Sequence, residues 1–148
     1  MNNLAHTLPS PFELKLCINQ ENNMLKLLLV SRDKDRFEDL ISDLKGYGDI
    51  ELEFSDSGKK ALTMTSKKAV DLIIADEDLG DMKGLELVKE ILKINFMINF
   101  AVVSRLNKDG FHEASEGLGI MFQLPEKPGE KAVREMITTL KHIMGLSG

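Results

Sequence analysis

Apolar positions fall along this chain in short groups with two alternating periods. Leu25-Lys26-Leu27-Leu28-Leu29-Val30 holds one polar residue in six. It is too short for a helix and dense enough for a strand covered on both faces. Asp71-Leu72-Ile73-Ile74-Ala75, Phe100-Ala101-Val102-Val103 and Ile120-Met121-Phe122-Gln123-Leu124 repeat that pattern. Ile50, Leu52 and Phe54 alternate with Glu51, Glu53 and Ser55, the period of a half-exposed strand suited to a sheet edge. Between these runs the period becomes helical. Phe37, Leu40, Ile41 and Leu44 share one face of a helix over about Lys34 to Lys45, with Asp33 as its N-cap and Gly46 and Gly48 at its end. Ser57-Gly58 leads into a short helix from Lys59 to about Lys67. Leu85, Val88, Ile91 and Leu92 mark a helix after Gly84. Phe111, Ala114, Ser115 and Leu118 form one face of a short helix closed by Gly117 or Gly119, and Val133, Met136, Ile137, Leu140 and Ile143 form the last. Five strand–helix alternations predict an α/β domain, a doubly wound parallel sheet with helices on both faces and right-handed crossovers.

Residues 1–23 do not share this rhythm. Met1 to Pro11 is polar and holds two prolines. Phe12, Leu14, Leu16 and Ile18 then alternate with Glu13, Lys15, Cys17 and Asn19, which is strand periodicity with one apolar face. Such a segment suits the edge of a sheet, in its own chain or a neighbour's. A linker, or an extension upstream of Met24, is the other reading. The chain is therefore divided into an N-terminal extension, 1–23, and a domain, 24–148.

Composition narrows the function classes. A chain of 148 residues holds one domain with a real core. A net charge of −5 argues against a nucleic-acid partner, which calls for a basic face. No apolar run reaches the length of a membrane span, and the N-terminus lacks a secretory pattern. The single cysteine, Cys17, excludes an internal disulfide and a thiolate metal site, and His6, His112 and His142 lack metal-ligand spacing. The expectation is a soluble, acidic, cytoplasmic protein.

The chemistry concentrates at strand ends. Asp76, Glu77, Asp78 and, past Gly80, Asp81 follow the third strand. In open α/β sheets, sites form outside the carboxyl ends of the strands. An acidic cluster there asks for a metal, a phosphoryl group or a basic partner; a solvated loop, with Asp78 or Asp81 starting a turn, is the plainer reading. Ser31-Arg32-Asp33, Ser104 and Leu124-Pro125 end the first, fourth and fifth strands and converge on the same crevice.

Leu27-Leu-Leu-Val30, Gly58-Lys-Lys-Ala-Leu62, Asp71-Leu-Ile-Ile-Ala-Asp76, Met82-Lys-Gly-Leu-Glu-Leu87 and Ala101-Val-Val-Ser104 follow one another in an order and spacing that resembles the response-regulator receiver family, over about residues 25 to 144. The resemblance implies a flavodoxin-like sheet of order 2-1-3-4-5 flanked by five helices. It implies a signalling module rather than an enzyme. It puts Asp76 at the aspartate that accepts a phosphoryl group from a histidine kinase, and Ser104 at the hydroxyl that senses it. In the family a carboxylate pair after the first strand, the acceptor aspartate and the backbone carbonyl two residues later, here Asp78, hold a magnesium ion. A lysine before a proline ends the fifth strand.

The sequence departs from that pattern where the chemistry is concentrated. Ser31 and Arg32 replace the acidic pair, and Asp33 is a distorted substitute at best. Arg32 either turns its guanidinium onto Asp76 in the cation's place or snorkels outward. Ungapped counting puts Leu124-Pro125 at the Lys-Pro position, so either Lys127 reaches in from a remodelled loop or the lysine is lost. The aromatic switch position falls at Met121, beside Phe122; Gly80 stands where proline is usual and Lys83 where aspartate is frequent. No cofactor is certain, and magnesium is doubtful. Three expectations follow. The first is a stand-alone pseudo-receiver without an output domain. It would act by protein contact through its fourth helix, fifth strand and fifth helix, with weak or no magnesium-dependent phosphorylation. The second is a working phospho-receiver using Asp33, Asp76, Asp78 and Lys127. The third is a flavodoxin-like cofactor binder, against which the glycine-free loop after the first strand counts. The partners expected are a histidine kinase or other signalling protein, with no nucleic acid and no membrane, and the protein itself a monomer or weak homodimer.

Overall fold

Side-chain alternation along Leu25–Val30 (β1) builds the molecule outward from its centre. Leu27 and Leu29 point to one face and Leu28 and Val30 to the other, and all four are buried. A strand buried on both sides needs neighbours on both edges. β1 pairs in parallel with Ile50–Ser55 (β2) and with Leu72–Ala75 (β3). β3 pairs with Asn99–Val103 (β4), and β4 with Phe122–Leu124 (β5). The computed structural model, which describes residues 24–146, is thus a five-stranded parallel sheet of order β2-β1-β3-β4-β5. This is the doubly wound architecture and strand order expected. The reading made for residues 12–18 lies outside the described residues.

Helices Glu38–Lys45 (α1) and Glu130–Ile143 (α5) cover one face, burying Leu40, Leu44, Val133, Met136, Ile137 and Leu140 against Leu27, Leu29 and Ile74. Gly58–Lys67 (α2), Gly84–Ile94 (α3) and Lys108–Ala114 (α4) cover the other, with Ala61, Leu87, Val88, Ile91 and Phe111 against Leu28, Ile73 and Phe100. Each fully buried Leu, Ile or Phe contributes about 1.5–3 kcal/mol of hydrophobic stabilisation. Among the described residues no helix is long and apolar enough to cross a membrane.

Several boundaries differ from the sequence expectation. The helix expected from Lys34 begins as a 3-10 turn, Lys34–Phe37, and becomes α-helical only at Glu38. Asp33 makes no side-chain cap; its own N–H donates to Ser31 Oγ at 3.0 Å, which fixes the turn differently. β3 starts one residue late, at Leu72, although the Asp71 N–H donates to Lys26 O at 2.7 Å and the Asp71 carboxylate accepts the Lys26 N–H at 2.8 Å. The short helix lies earlier than its apolar face suggested. It begins at Lys108 because the Asn107 side chain accepts the Gly110 N–H at 2.7 Å, and it ends at Ala114.

Candidate functional site

Asp76 is the first residue past β3, and its N–H still donates to Val30 O at 2.9 Å. The backbone of α3 presses close behind it: a Cβ on Gly84 would sit 2.3 Å from Asp76 O. Only glycine permits that approach. Asp76 is therefore held at the carboxyl end of the sheet, and the residue is 3% exposed.

A carboxylate this buried needs partners. Oδ2 accepts the Ser31 hydroxyl at 2.8 Å, and Oδ1 accepts the Glu77 N–H at 2.8 Å. Oδ1 also accepts the guanidinium of Arg36. Ser31 is itself buried, and its oxygen accepts the Asp33 N–H, so its proton is committed to Asp76. The Arg36 side chain is 25% exposed, which makes this a partly desolvated ion pair rather than a surface one. Its Nε donates to Glu126 O at 3.3 Å.

The guanidinium beside Asp76 thus comes from Arg36 and not from Arg32. The Arg32 side chain is 61% exposed, its Nη lies 3.8 Å from Asp78 Oδ2, and its stem runs past Gly80. Of the two readings for Arg32, the outward one holds. Arg36 lies in the 3-10 turn Lys34–Phe37, which advances about 120° per residue against about 100° in an α-helix.

The remaining positions divide clearly. Ser104 is buried at the end of β4, and its Oγ accepts the Leu106 N–H at 3.1 Å. Leu124 is fully buried in the core beneath α5. Lys127 is exposed and lines a neighbouring cleft with Asp33, Asp35, Glu38 and Asp39, while Glu126 lines the cleft that holds Asp76. Asp33 is exposed between the two clefts. Asp78 spends its carboxylate on the Gly80 N–H, at 2.9 Å, and on Lys83, at 3.3 Å; both hold it below the usual aspartate range, the Gly80 bond most. Asp81 reaches across to accept the Gly58 and Lys59 N–H groups at 2.9 and 3.0 Å. It is an added cap for α2, and the Gly58 bond is the main cause of its lowered pKa.

Arg36, Arg105, Glu126 and Gln123 were not foreseen. Arg105 N–H donates to Glu77 Oε2 at 3.1 Å and its Nε to Glu126 Oε2 at 2.8 Å. Taken with the Arg36 contacts, these bonds close a ring: Asp76, Arg36, Glu126, Arg105, Glu77 and back to Asp76. Four loops meet in it. Gln123 adds a clamp, donating to Leu106 O at 2.8 Å and Ser104 O at 3.4 Å. No sequence period marks these residues as a set, because each lies in a different loop or strand end.

The donor set does not fit a divalent cation. Magnesium wants near-octahedral oxygens including one or two carboxylates free to face it. Here the buried Asp76 carboxylate is occupied by a guanidinium and a hydroxyl, and the residues that would supply a second are Ser31 and an outward Arg32. Among the described residues no three His, Cys, Asp or Glu side chains form a group able to hold a metal.

Residues 27–138 match the family described as the response regulator receiver domain. A response regulator receiver protein from Anaeromyxobacter sp. strain Fw109-5 is 29% identical over 103 residues, which are 70% of this chain and 43% of that protein; the chain thus spans under half of this relative's length. Among solved structures, the signal receiver domain of an HD domain-containing protein from Pseudomonas fluorescens Pf-5 superposes with a TM-score of 0.72 at 18% identity, covering 83% of this chain and 91% of that one. A two-component response regulator from Clostridium difficile gives 0.72 at 20% identity, covering 82% and 98%. A chemotaxis response regulator of Vibrio cholerae gives 0.70 at 18%, covering 79% and 98%. These likenesses concern the fold.

Proposed function

Because this chain belongs to the response-regulator receiver family, we propose that it serves two-component signalling as a pseudo-receiver, with residues 24–148 as the receiver unit. Receiver domains in general work by meeting histidine kinases or other signalling proteins. In this chain the meeting is the function, and magnesium-dependent phosphorylation at Asp76 is weak or absent. One observation carries the reading: the Arg36 guanidinium sits on the Asp76 carboxylate and supplies the positive charge that an active receiver takes from its cation.

The rest of the site agrees with it. The Ser104 oxygen, at the switch position, accepts the Leu106 N–H of its own loop and makes no bond to Asp76. Lys127 stands outside the Asp76 cleft, and Leu124 is core. The partner is a signalling protein that docks on the surface of α4, β5 and α5, and the protein acts in the cytoplasm and not as an enzyme.

The test is a titration with beryllofluoride and magnesium followed by amide shifts. The expected result is weak, non-saturating change confined to exposed loops. Stoichiometric saturation with shifts spreading from Asp76 to Ser104 overturns the proposal and makes the chain a working phospho-receiver.

A further inference from the structure

Large apolar side chains left in water are unevenly spread over this molecule. Ile94, Phe96 and Met97 stand 60, 79 and 73% exposed within four consecutive residues. They close α3 and precede β4, so they lie at the amino-terminal end of the sheet, the end away from Asp76. Ile143, Met144 and Leu146, at the end of α5, are exposed at that same end. Single exposed apolar residues are ordinary, whereas a contiguous patch of them marks a contact surface.

The chain supplies a candidate occupant from the same place. β1 begins at Leu25, and Met24 leads into it at the amino-terminal end of the sheet. Leu27 and Asn99 are both level with Leu72, so Met24 and Phe96 each stand three residues before the same register line. β1 and β4 are separated only by β3, a distance of about 10 Å. Upstream of Met24 the sequence carries Phe12, Leu14, Leu16 and Ile18, alternating with Glu13, Lys15 and Cys17. The six steps from Ile18 to Met24 reach up to about 20 Å, enough to cross that gap.

We propose that Ile94, Phe96 and Met97 form a docking surface for the chain's own segment Phe12–Ile18, whose four apolar side chains meet it. The segment itself lies outside the described residues, and the inference rests on the exposed patch, the point of chain entry and the alternation in the sequence. Cys17 falls on the polar side of that alternation, so a label there leaves the contact intact.

Cys17 is also the only cysteine, which makes the experiment direct. A nitroxide is attached at Cys17 of the full chain and amide intensities are compared with the reduced label. The expected result is loss of more than half the intensity at Asn95, Phe96, Met97 and Ile98. Phe96→Ser with Met97→Ser, both on exposed positions, should restore those signals while the rest of the spectrum shows the fold intact. Unchanged intensities at 95–98, loss only near Ile143–Leu146, or loss that survives the double substitution would overturn the proposal. So would equal loss in an unlabelled isotopic copy mixed with labelled protein, which makes a second copy the occupant.

Discussion

Arg36 and Arg32 are separated by one helical turn of sequence and by a large difference in consequence. Arg36 meets a buried carboxylate; Arg32 meets an exposed one at 3.8 Å. Removing one partner of a buried pair strands the other, at a cost of about 3–5 kcal/mol, and the remaining bonds from Ser31 and Glu77 place Arg36→Met near the lower value, about 3 kcal/mol. Arg32→Ala should stay within about 0.5 kcal/mol. Urea denaturation of the two variants checks both numbers. Adding Asp76→Asn to Arg36→Met should recover part of the loss, because the stranded charge goes with it. The sequence raised a guanidinium in this pocket as one of two alternatives for Arg32 and did not point to Arg36. An apolar stripe from Phe37 to Leu44 reports a helix without reporting that its first turn is 3-10, and Arg36 lies in that turn.

Helix ends and loop clamps give the next set of expectations. Asp81 caps α2 from another loop, so Asp81→Ala should destabilise by about 1 kcal/mol even though the residue is exposed. Its pKa lies below the ordinary 3.8, chiefly through the Gly58 bond, so the folded form holds its proton less readily than the unfolded one. That stability is fully present above about pH 4 and is lost as pH falls through the folded value. Denaturation midpoints measured from pH 5 to pH 2 should fall less steeply for Asp81→Asn than for the natural protein. Gly84→Ala drives a Cβ into Asp76 O and should cost about 3 kcal/mol, seen as a lower thermal midpoint. Gln123→Ala should speed amide exchange at Leu106 without changing global stability by more than about 1 kcal/mol. The elements themselves were legible because each rests on its own apolar period. The cap by Asp81 was not, since the bond spans 23 residues and the sequence shows only an acidic residue after a glycine.

At the scale of the whole molecule, the sheet order and the two packed faces follow from strand–helix alternation together with the family resemblance. What alternation does not carry is the convergence of loops that are far apart in sequence. Arg36 and Glu126 are 90 residues apart and Arg105 and Glu77 are 28. Their meeting depends on the order in which strands lie side by side. Because those contacts close on themselves, the carboxyl end of the sheet has redundancy in the sense of a circuit: opening one link leaves every loop still joined through the others. Glu77→Ala alone and Glu126→Ala alone should each change local exchange at the loop after β4 only slightly. The pair together should exceed the sum by a coupling energy of at least about 0.5 kcal/mol. Tolerance of a first lesion at either Arg105 link and sensitivity to the second is the behaviour of a network with one spare connection, and here it guards Asp76, among the described residues the one charged side chain that the core has taken in.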